Sequence, residues 1–316
     1  LLLGENNELA ASGRALTVQT LGGTGALKIG ADFLKKIHPN AKVAISNPSW
    51  ANHKGIFEGA GFQVDQYPYY NPETHGFDFE GMLGALKAMP KGTIVVLHAC
   101  CHNPTGVDPS AEQWKQIAEA VKEAGLVPFL DIAYQGFGDG LEEDAYVVRL
   151  FAGLDISVLI SSSFSKSFSL YGERVGALTL LCASKDESAR VLSQLKIVVR
   201  TNYSNPPTHG GTVVSTVLNT PELYQLWVDE LGGMRNRIRD MRTQLVQKLK
   251  EHGVTQNFDF VLAQRGMFSY SGLSKEQVEA LRADHGVYAV GSGRICVAAL
   301  NSGNIDHVAQ SIAKVL

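Results

Sequence analysis

The residue whose position points most directly to chemistry is Lys166, which follows an apolar, largely β-branched run at residues 158–160. Such a run, when it ends in small hydroxyl residues, predicts a buried strand that opens into a loop. Lysine is rarely buried without a partner, and desolvation lowers the pKa of an amine and makes it nucleophilic. A lysine delivered there by a core strand could form a Schiff base with a carbonyl compound. Equally, it could reach out to solvent from the mouth of the loop.

Hydroxyl groups and a cation accompany this lysine. Ser163 is one of the serines that follow the apolar run, and Arg174 comes shortly after Lys166. Because hydroxyls and arginine both bind phosphate oxygens, the three kinds of group together suggest a phosphorylated aldehyde held covalently, namely pyridoxal phosphate (PLP).

A second candidate phosphate-binding element is the Gly-Gly-Thr-Gly segment at residues 22–25, where a helix is predicted over residues 24–37. Exposed amides near Gly23, the Thr24 hydroxyl and the positive end of the helix dipole would form an anion cradle. Its glycine spacing differs from the dinucleotide-binding fingerprint, and no strand clearly precedes it. Taken alone, such a segment is more often an ordinary turn.

Asp131 ends a predicted strand at residues 127–131, which is where α/β sheets place their ligands. A fixed aspartate there could keep a pyridinium nitrogen protonated and so make a cofactor ring an electron sink. Tyr134 follows within the same segment. The alternative use of Asp131 is as the N-cap of a helix.

Asn103 and Trp50 offer two further contacts for a planar cofactor. Asn103 precedes a proline, which disfavours helix, and its amide could donate to a ring oxygen or simply end a strand in an Asn-Pro turn. Trp50 offers a flat face, although a core position is the usual one for tryptophan. A zinc site formed by His98, His102 and the neighbouring cysteines is disfavoured, since no second cluster completes the ligand shell.

The elements that must position these groups alternate between strand-like and helix-like segments up to about residue 200. Strands are predicted at residues 42–46, 93–98, 127–131, 158–162 and 175–181. A capping box at Ser110 and Gln113 opens one of the intervening helices. This order predicts an α/β fold with a largely parallel sheet covered by helices. Because the candidate residues fall at strand ends, we expect one site to collect them.

The pattern changes after residues 206–207, which are both proline. A long helix is predicted from residue 221 to about residue 250, followed by a second capping box at residues 274–277 and strand-like segments at 266–271 and 295–298. We therefore predict a large domain over residues 1–220 and a smaller α/β C-terminal domain over residues 221–316.

Composition excludes several classes of function. The chain has 316 residues, of which 45% are hydrophobic and 19% charged, and a formal net charge of −3. A slightly negative net charge is not typical of proteins that bind nucleic acid or an anionic membrane surface. The apolar runs are too short to span a bilayer. The four cysteines show neither metal-ligand nor disulfide-scaffold spacing, so we expect reduced thiols in a cytoplasmic protein. Because the chain begins with Leu1, we expect the natural protein to be longer.

Taken together, the motifs resemble the class I PLP-dependent aminotransferases, in the branch that contains the aspartate and aromatic amino-acid enzymes. The resemblance covers essentially the whole chain, and its motifs are NPSW at residues 47–50, HNPTG at 102–106, DIAYQGF at 131–137 and SFSK at 163–166. It implies the aminotransferase fold, with a large PLP-binding domain and a smaller C-terminal domain.

The resemblance also implies a role for each candidate residue. Lys166 would carry the cofactor and move a proton between the substrate Cα and the cofactor C4′. Arg294 would grip the substrate α-carboxylate bidentately, and Arg200 would reach into the neighbouring subunit of a homodimer to meet a second carboxylate. Other residues would hold the cofactor itself. Asp131 would contact the ring nitrogen, Tyr134 and Asn103 would donate to the phenolate oxygen, and Trp50 would stack on the ring. The phosphate would be bound by Gly23, Thr24, Ser163 and Arg174.

The implied activity is transfer of an amino group from aromatic amino acids, and from aspartate, to 2-oxoglutarate. Strict aspartate aminotransferase activity is the nearest alternative. A PLP lyase is disfavoured because both Arg200 and Arg294 are present. A non-catalytic PLP-binding module would require loss of catalytic groups or a DNA-binding segment, and the sequence shows neither. The family's N-terminal portion, with its cross-dimer segment, a substrate-contacting glycine and a phosphate-binding tyrosine, is not part of these 316 residues.

Overall fold

The computed structural model describes all residues from 1 to 316 as eleven strands, thirteen α-helices and one 3₁₀ turn. The strands are β1 (Ala15–Leu21), β2 (Val43–Asn47), β3 (Val64–Pro68), β4 (Tyr70–Asn71), β5 (Gly76–Phe77), β6 (Ile94–His98), β7 (Val127–Ile132), β8 (Val158–Ser163), β9 (Val175–Leu181), β10 (Phe268–Tyr270) and β11 (Arg294–Cys296). The helices are α1 (Glu8–Ala11), α2 (Gly22–Ile37), α3 (Ala51–Gly59), α4 (Phe79–Ala88), α5 (Ala111–Glu123), α6 (Leu141–Asp144), α7 (Tyr146–Ala152), α8 (Lys185–Asn202), α9 (Thr208–Asn219), α10 (Pro221–Glu251), α11 (Phe260–Ala263), α12 (Lys275–His285) and α13 (Ile305–Val315), with the 3₁₀ turn at Val297–Ala299.

Seven strands form one central sheet in the order β1-β9-β8-β7-β6-β2-β3. The five strands from β3 to β8 in this order pair in parallel, whereas β9 is antiparallel to both of its neighbours. The predicted α/β class with a mainly parallel, mixed sheet is therefore confirmed. Register brings His98 beside Asp131 and Asp131 beside Ser161, so polar residues from three strands meet at one edge.

The expectation that no strand precedes the Gly-Gly-Thr segment is wrong, because β1 ends at Leu21 and α2 begins at Gly22. β1 lies at an edge of the sheet and pairs only with β9. An edge strand with few buried side chains carries polar residues on both faces, so its sequence lacks the apolar run that marks the central strands.

Both faces of the sheet are covered. On one face α2 packs its buried residues, among them Leu27 and Ile29, against a core that includes Phe129 and Leu178. The core of the other face continues without interruption into the C-terminal helices. The predicted division at residue 220 coincides with the junction of α9 and α10, and it remains a prediction.

The C-terminal elements differ from expectation in detail. The long helix α10 runs from Pro221, whose missing N–H is harmless at a first helical position, to Glu251. Both predicted capping boxes are present, at Ser110 and at Ser274. Both small strands are shorter than the predicted segments, and β11 ends at Cys296 because the chain enters the 3₁₀ turn directly after it.

Gly30 provides a stability prediction, because α2 crosses the sheet there. A Cβ atom at this position would lie 2.4 Å from Cζ of Phe129. We expect Gly30→Ala to destabilise the protein by about 1–3 kcal/mol through overpacking, despite the better helix propensity of alanine. Chemical denaturation measures the change in the free energy of unfolding.

The matched control is Gly84→Ala in α4, where an added Cβ would meet no heavy atom within 4 Å. This substitution should stabilise the protein by about 0.5–1 kcal/mol, since only the helix propensity changes. Equal effects of the two substitutions would contradict the proposed close contact at Gly30.

Candidate active site

A cavity opens at the carboxyl ends of the parallel strands, where the sequence placed its candidate residues. Nine of the eleven predicted site residues line it, namely Gly23, Thr24, Trp50, Asn103, Asp131, Tyr134, Ser163, Lys166 and Arg174. Arg294 joins this group through a hydrogen bond to Asn103. Arg200 does not contact the cavity within this chain.

Lys166 lies just beyond the end of β8 and is half-buried rather than extended into solvent. Its Nζ atom lies 4.7 Å from the centroid of the Tyr134 ring. Burial lowers the pKa of the Lys166 amine below its ordinary value; Asp131 opposes this shift and Arg174 adds to it. A lowered pKa enlarges the neutral, nucleophilic fraction of the amine at neutral pH, as covalent attachment of an aldehyde requires.

Asp131 is a buried carboxylate held by a buried imidazole. Its Oδ2 atom lies 2.8 Å from Nε2 of His53, whose side chain is fully buried. Burial alone would raise the pKa of Asp131, but the hydrogen bond from His53 and the charges of His53, His98 and Lys166 together outweigh it and leave the pKa below its usual value. No helix follows Asp131 until α6, so its alternative use as an N-cap is wrong. An ionised carboxylate here fits a protonated ring nitrogen.

The hydrogen-bond chain behind Asp131 includes residues that the sequence reasoning missed. Nδ1 of His53 lies 3.0 Å from Oγ of Ser49, and the same Oγ lies 3.2 Å from Nε2 of His98. Burial lowers the pKa of His98 well below its ordinary value. Sequence spacing offered no clear signal, since Ser49 precedes the N-cap Trp50 and lies outside α3, whereas His53 is in the first turn of that helix.

Asn103 connects the two sides of the cavity. Its Nδ2 donates to the Tyr134 hydroxyl over 3.4 Å, and its Oδ1 accepts from Nη1 of Arg294 over 2.9 Å. The Arg294 guanidinium lies over the Phe268 ring, 4.3 Å from its centroid. The pairing of Tyr270 with Arg294 in the small sheet delivers this arginine from 191 residues away in sequence. A guanidinium that could bind a carboxylate thus lies beside an amide and a hydroxyl that could donate to a ring oxygen.

The residues expected to bind phosphate form a cradle that fits this group. Gly22 has a φ of 67°, and a Cβ there would lie 2.6 Å from Nη2 of Arg174. A Cβ on Gly23 would lie 3.1 Å from Cβ of Ser163. The N–H of Gly22 donates to the Arg174 carbonyl oxygen, and the first turn of α2 has no side-chain cap, so the N–H groups of Gly23 and Thr24 are available to an anion. Donors and positive charge converge here, as a phosphate ester requires.

The two remaining candidates differ in placement. Trp50 is half-buried at the N-terminus of α3 and packs edge to face on His53, with ring centroids 5.3 Å apart. Arg200 is exposed in the last turn of α8. A role for Arg200 in substrate binding therefore depends on an assembly of more than one chain.

Comparison with known proteins identifies the family. The model of aminotransferase class I and II matches residues 2–312. The chain belongs to this family. It is 61% identical over 316 residues to the aspartate aminotransferase of Pseudomonas aeruginosa, covering 100% of this chain and 79% of that protein. It is 51% identical to the aromatic-amino-acid aminotransferase of Escherichia coli, with coverage of 100% and 80%.

Solved structures agree with this assignment. The aromatic-amino-acid aminotransferase of Burkholderia pseudomallei, covalently bound to pyridoxal phosphate, superposes with a TM-score of 0.99 at 64% identity. The match covers 100% of this chain and 79% of that one. The aromatic amino-acid aminotransferase of Psychrobacter sp. B6, cocrystallised with aspartic acid, gives a TM-score of 0.97 at 46% identity, with coverage of 99% and 79%.

These findings confirm the predicted family, the predicted fold, amino-group transfer as the reaction and PLP as the cofactor. Amino acids and 2-oxo acids are accordingly the substrates. None of the helices is both long enough and apolar enough to cross a membrane.

Proposed function

We propose that this enzyme transfers the amino group of aromatic amino acids and of aspartate to 2-oxoglutarate, using PLP attached to Lys166. The observation that carries the proposal is the contact of Arg294 with Asn103 at the cavity that Lys166 and Asp131 line. The guanidinium, which could bind an α-carboxylate, thus lies near the amine and the carboxylate that we assign to the reaction. The names of the relatives from P. aeruginosa and E. coli support both kinds of amino donor.

The protein groups around the cofactor have distinct tasks. PLP, when bound, supplies an aldehyde that accepts amino groups and a pyridinium ring that withdraws electrons from the substrate Cα. Asp131, kept ionised by His53, would hold the proton on the ring nitrogen. Tyr134 and Asn103 would donate to the ring oxygen, and Trp50 would cover one face of the ring. The cradle of Gly23, Thr24, Ser163 and Arg174 would hold the phosphate.

Lys166 is the group proposed to move protons. Its Nζ would take the proton from the substrate Cα and deliver it to C4′ of the cofactor. Its lowered pKa suits this task, because a general base works best when its pKa lies near the operating pH. Half-burial of the side chain keeps the amine close to the substrate and limits competing transfer to water.

Two arginines would divide substrate recognition. Arg294 would bind the α-carboxylate that every substrate carries, and Arg200 of a second copy of this chain would bind the distal carboxylate of aspartate or 2-oxoglutarate. Arg200 is exposed and does not line the cavity of its own chain, which supports a homodimer with composite sites. We also retain a cytoplasmic location as part of the proposal, supported by four free thiols.

A spectrophotometric assay of the PLP-loaded protein tests this function. With 2-oxoglutarate as acceptor, we expect turnover of aspartate, tyrosine and phenylalanine with release of the corresponding 2-oxo acids. Turnover of aspartate alone would favour the second candidate, a strict aspartate aminotransferase, which the 61% identity to the P. aeruginosa enzyme supports. Products of elimination without formation of glutamate would indicate a lyase.

Composite sites predict complementation between two inactive variants. Mixed and re-associated, Lys166→Ala and Arg200→Ala should recover roughly a quarter of wild-type activity on aspartate, because half of the dimers are hybrids with one intact site each. Activity is measured before and after mixing. The control mixes Lys166→Ala with Arg294→Ala. Because each of these residues would serve the site of its own chain, every hybrid dimer would carry one defect in each site, and no activity should return. Light scattering that shows a monomer would contradict the dimer.

A further inference from the structure

Arg242 on α10 is a charged side chain buried in the interior, with an exposed fraction of 3%. Its Nε donates to Oγ of Ser269 over 3.1 Å, and its Nη2 donates to the carbonyl oxygens of Gly266 and Phe268. None of these acceptors is a carboxylate. Burial lowers the pKa of Arg242 to about 10, so the guanidinium is still charged at neutral pH. A buried charge is costly unless it is hydrogen-bonded, and here the compensating acceptors all come from the one segment at residues 266–269.

The held segment carries the support of the Arg294 guanidinium. Phe268 begins β10, which pairs with β11 so that Tyr270 lies opposite Arg294. The Phe268 ring lies under the Arg294 guanidinium at 4.3 Å. Arg242 grips the backbone carbonyl of this same Phe268 over 2.9 Å. A shift of the β10 backbone would therefore move both the ring below Arg294 and the strand beside it.

The same segment also docks on the loop that carries Asn103. Gly266 has a φ of 82°, and a Cβ there would lie 2.5 Å from Cβ of Cys101. A Cβ on Gly106 would lie 2.8 Å from the carbonyl oxygen of Phe268. The backbone N–H of Arg265 donates to the carbonyl oxygen of Gly106 over 2.7 Å. Residues 265–268 thus lie against both ends of the loop from residue 101 to residue 106.

We propose that Arg242 is a positioning residue for the substrate α-carboxylate, because it clamps residues 266–269 between α10 and the Asn103 loop and so sets the alignment of Arg294 with Asn103. This inference rests on the proposed role of Arg294. Arginine suits the task because its planar guanidinium directs several donors at once toward the three acceptors, which a lysine ammonium on a flexible stem does not reproduce.

A binding measurement isolates the carboxylate site. The probe is 3-phenylpropionate, which has a carboxylate but no amine and therefore cannot react with the cofactor aldehyde. We expect Arg242→Met in the PLP-loaded enzyme to weaken its binding by about 10- to 100-fold, since small misplacements of positioning groups cost that much. KM for aspartate and for phenylalanine should rise together, with a smaller change in kcat.

Two further variants make the test specific. Arg242→Lys keeps the charge and should weaken 3-phenylpropionate binding less than Arg242→Met, yet measurably relative to wild type. The matched control is Arg239→Met on the same helix, whose exposed guanidinium contacts Asp139 and the Gly138 carbonyl instead. It should leave binding of the probe unchanged. In every variant, borohydride reduction should still place the pyridoxyl group on Lys166.

The inference is overturned if folded Arg242→Met binds 3-phenylpropionate with wild-type affinity. If Arg242→Met does not fold, wild-type affinity in Arg242→Lys overturns it instead. An equal loss in Arg239→Met would also overturn it, because the effect would then be a general one of α10. Arg294→Ala separates this inference from the proposed function. If Arg294→Ala binds the probe with wild-type affinity, the assignment of Arg294 itself fails. If Arg294→Ala loses affinity for the probe but Arg242→Met keeps it, only the role of Arg242 fails.

Discussion

Lys166→Ala is expected to lose at least about 10²- to 10⁴-fold in the rate of amino-group transfer, the contribution of a positioned general acid–base group. The reason is that no other amine lines the cavity beside Tyr134 and Asp131. PLP should still bind, although more weakly, because the phosphate cradle and Asp131 are unaltered. Single-turnover absorbance measurements with aspartate, on variant reconstituted with PLP, give the rate.

The attachment site is checked separately on the wild-type enzyme. Borohydride reduction followed by peptide mapping should place the pyridoxyl group on Lys166. The matched control is Lys196→Ala on α8, an exposed lysine whose loss should change neither the label nor the rate. A pyridoxyl group on any other lysine would rule out the assignment of Lys166.

The second large effect is a split between the two substrate-binding arginines. Arg294→Ala should reduce kcat/KM for aspartate and phenylalanine alike, since both carry the α-carboxylate. Arg200→Ala should act mainly on aspartate, because loss of a charge-assisted pair from a closed site costs about 2–5 kcal/mol, whereas an aromatic ring needs apolar surface. Steady-state kinetics with both donors on both variants measures the split.

Two outcomes would contradict this division. Equal losses for aspartate and phenylalanine in Arg200→Ala would make Arg200 a structural residue. Negligible turnover of phenylalanine by the wild-type enzyme would remove aromatic amino acids from the proposed substrates. Comparison of kcat/KM rather than kcat alone is needed, since it reports the full loss of transition-state stabilisation relative to free enzyme and substrate.

The central site was predictable from sequence because two local signals coincide in it. Apolar runs marked the strands β6, β7 and β8, and polar residues such as Asp131 and Lys166 stood at or just beyond their ends. Parallel strands present their carboxyl ends at one edge, so residues far apart in sequence could be expected to meet there. The structure places nine of these predicted residues around one cavity.

Signals of that kind were missing for several elements. β1 has the mixed polarity of an edge strand and was not predicted. His53 and His98 looked like ordinary histidines in the sequence. Both hydrogen-bond to the Ser49 hydroxyl, and these contacts form only when α3 and β6 are packed together. Arg242 lies in a helix rich in exposed charges, where the periodicity does not reveal an arginine that turns inward.

By itself the sequence determined the α/β class, the strand ends and the chemical groups of the cofactor site, because these depend on local hydrophobic pattern and residue type. Tertiary structure alone decided which of those groups touch, as in the bond from Arg294 to Asn103 and the clamp of Arg242 on Phe268. These contacts join residues 191 and 26 positions apart across different elements. Such contacts depend on how whole helices and strands pack, and no local spacing encodes that arrangement.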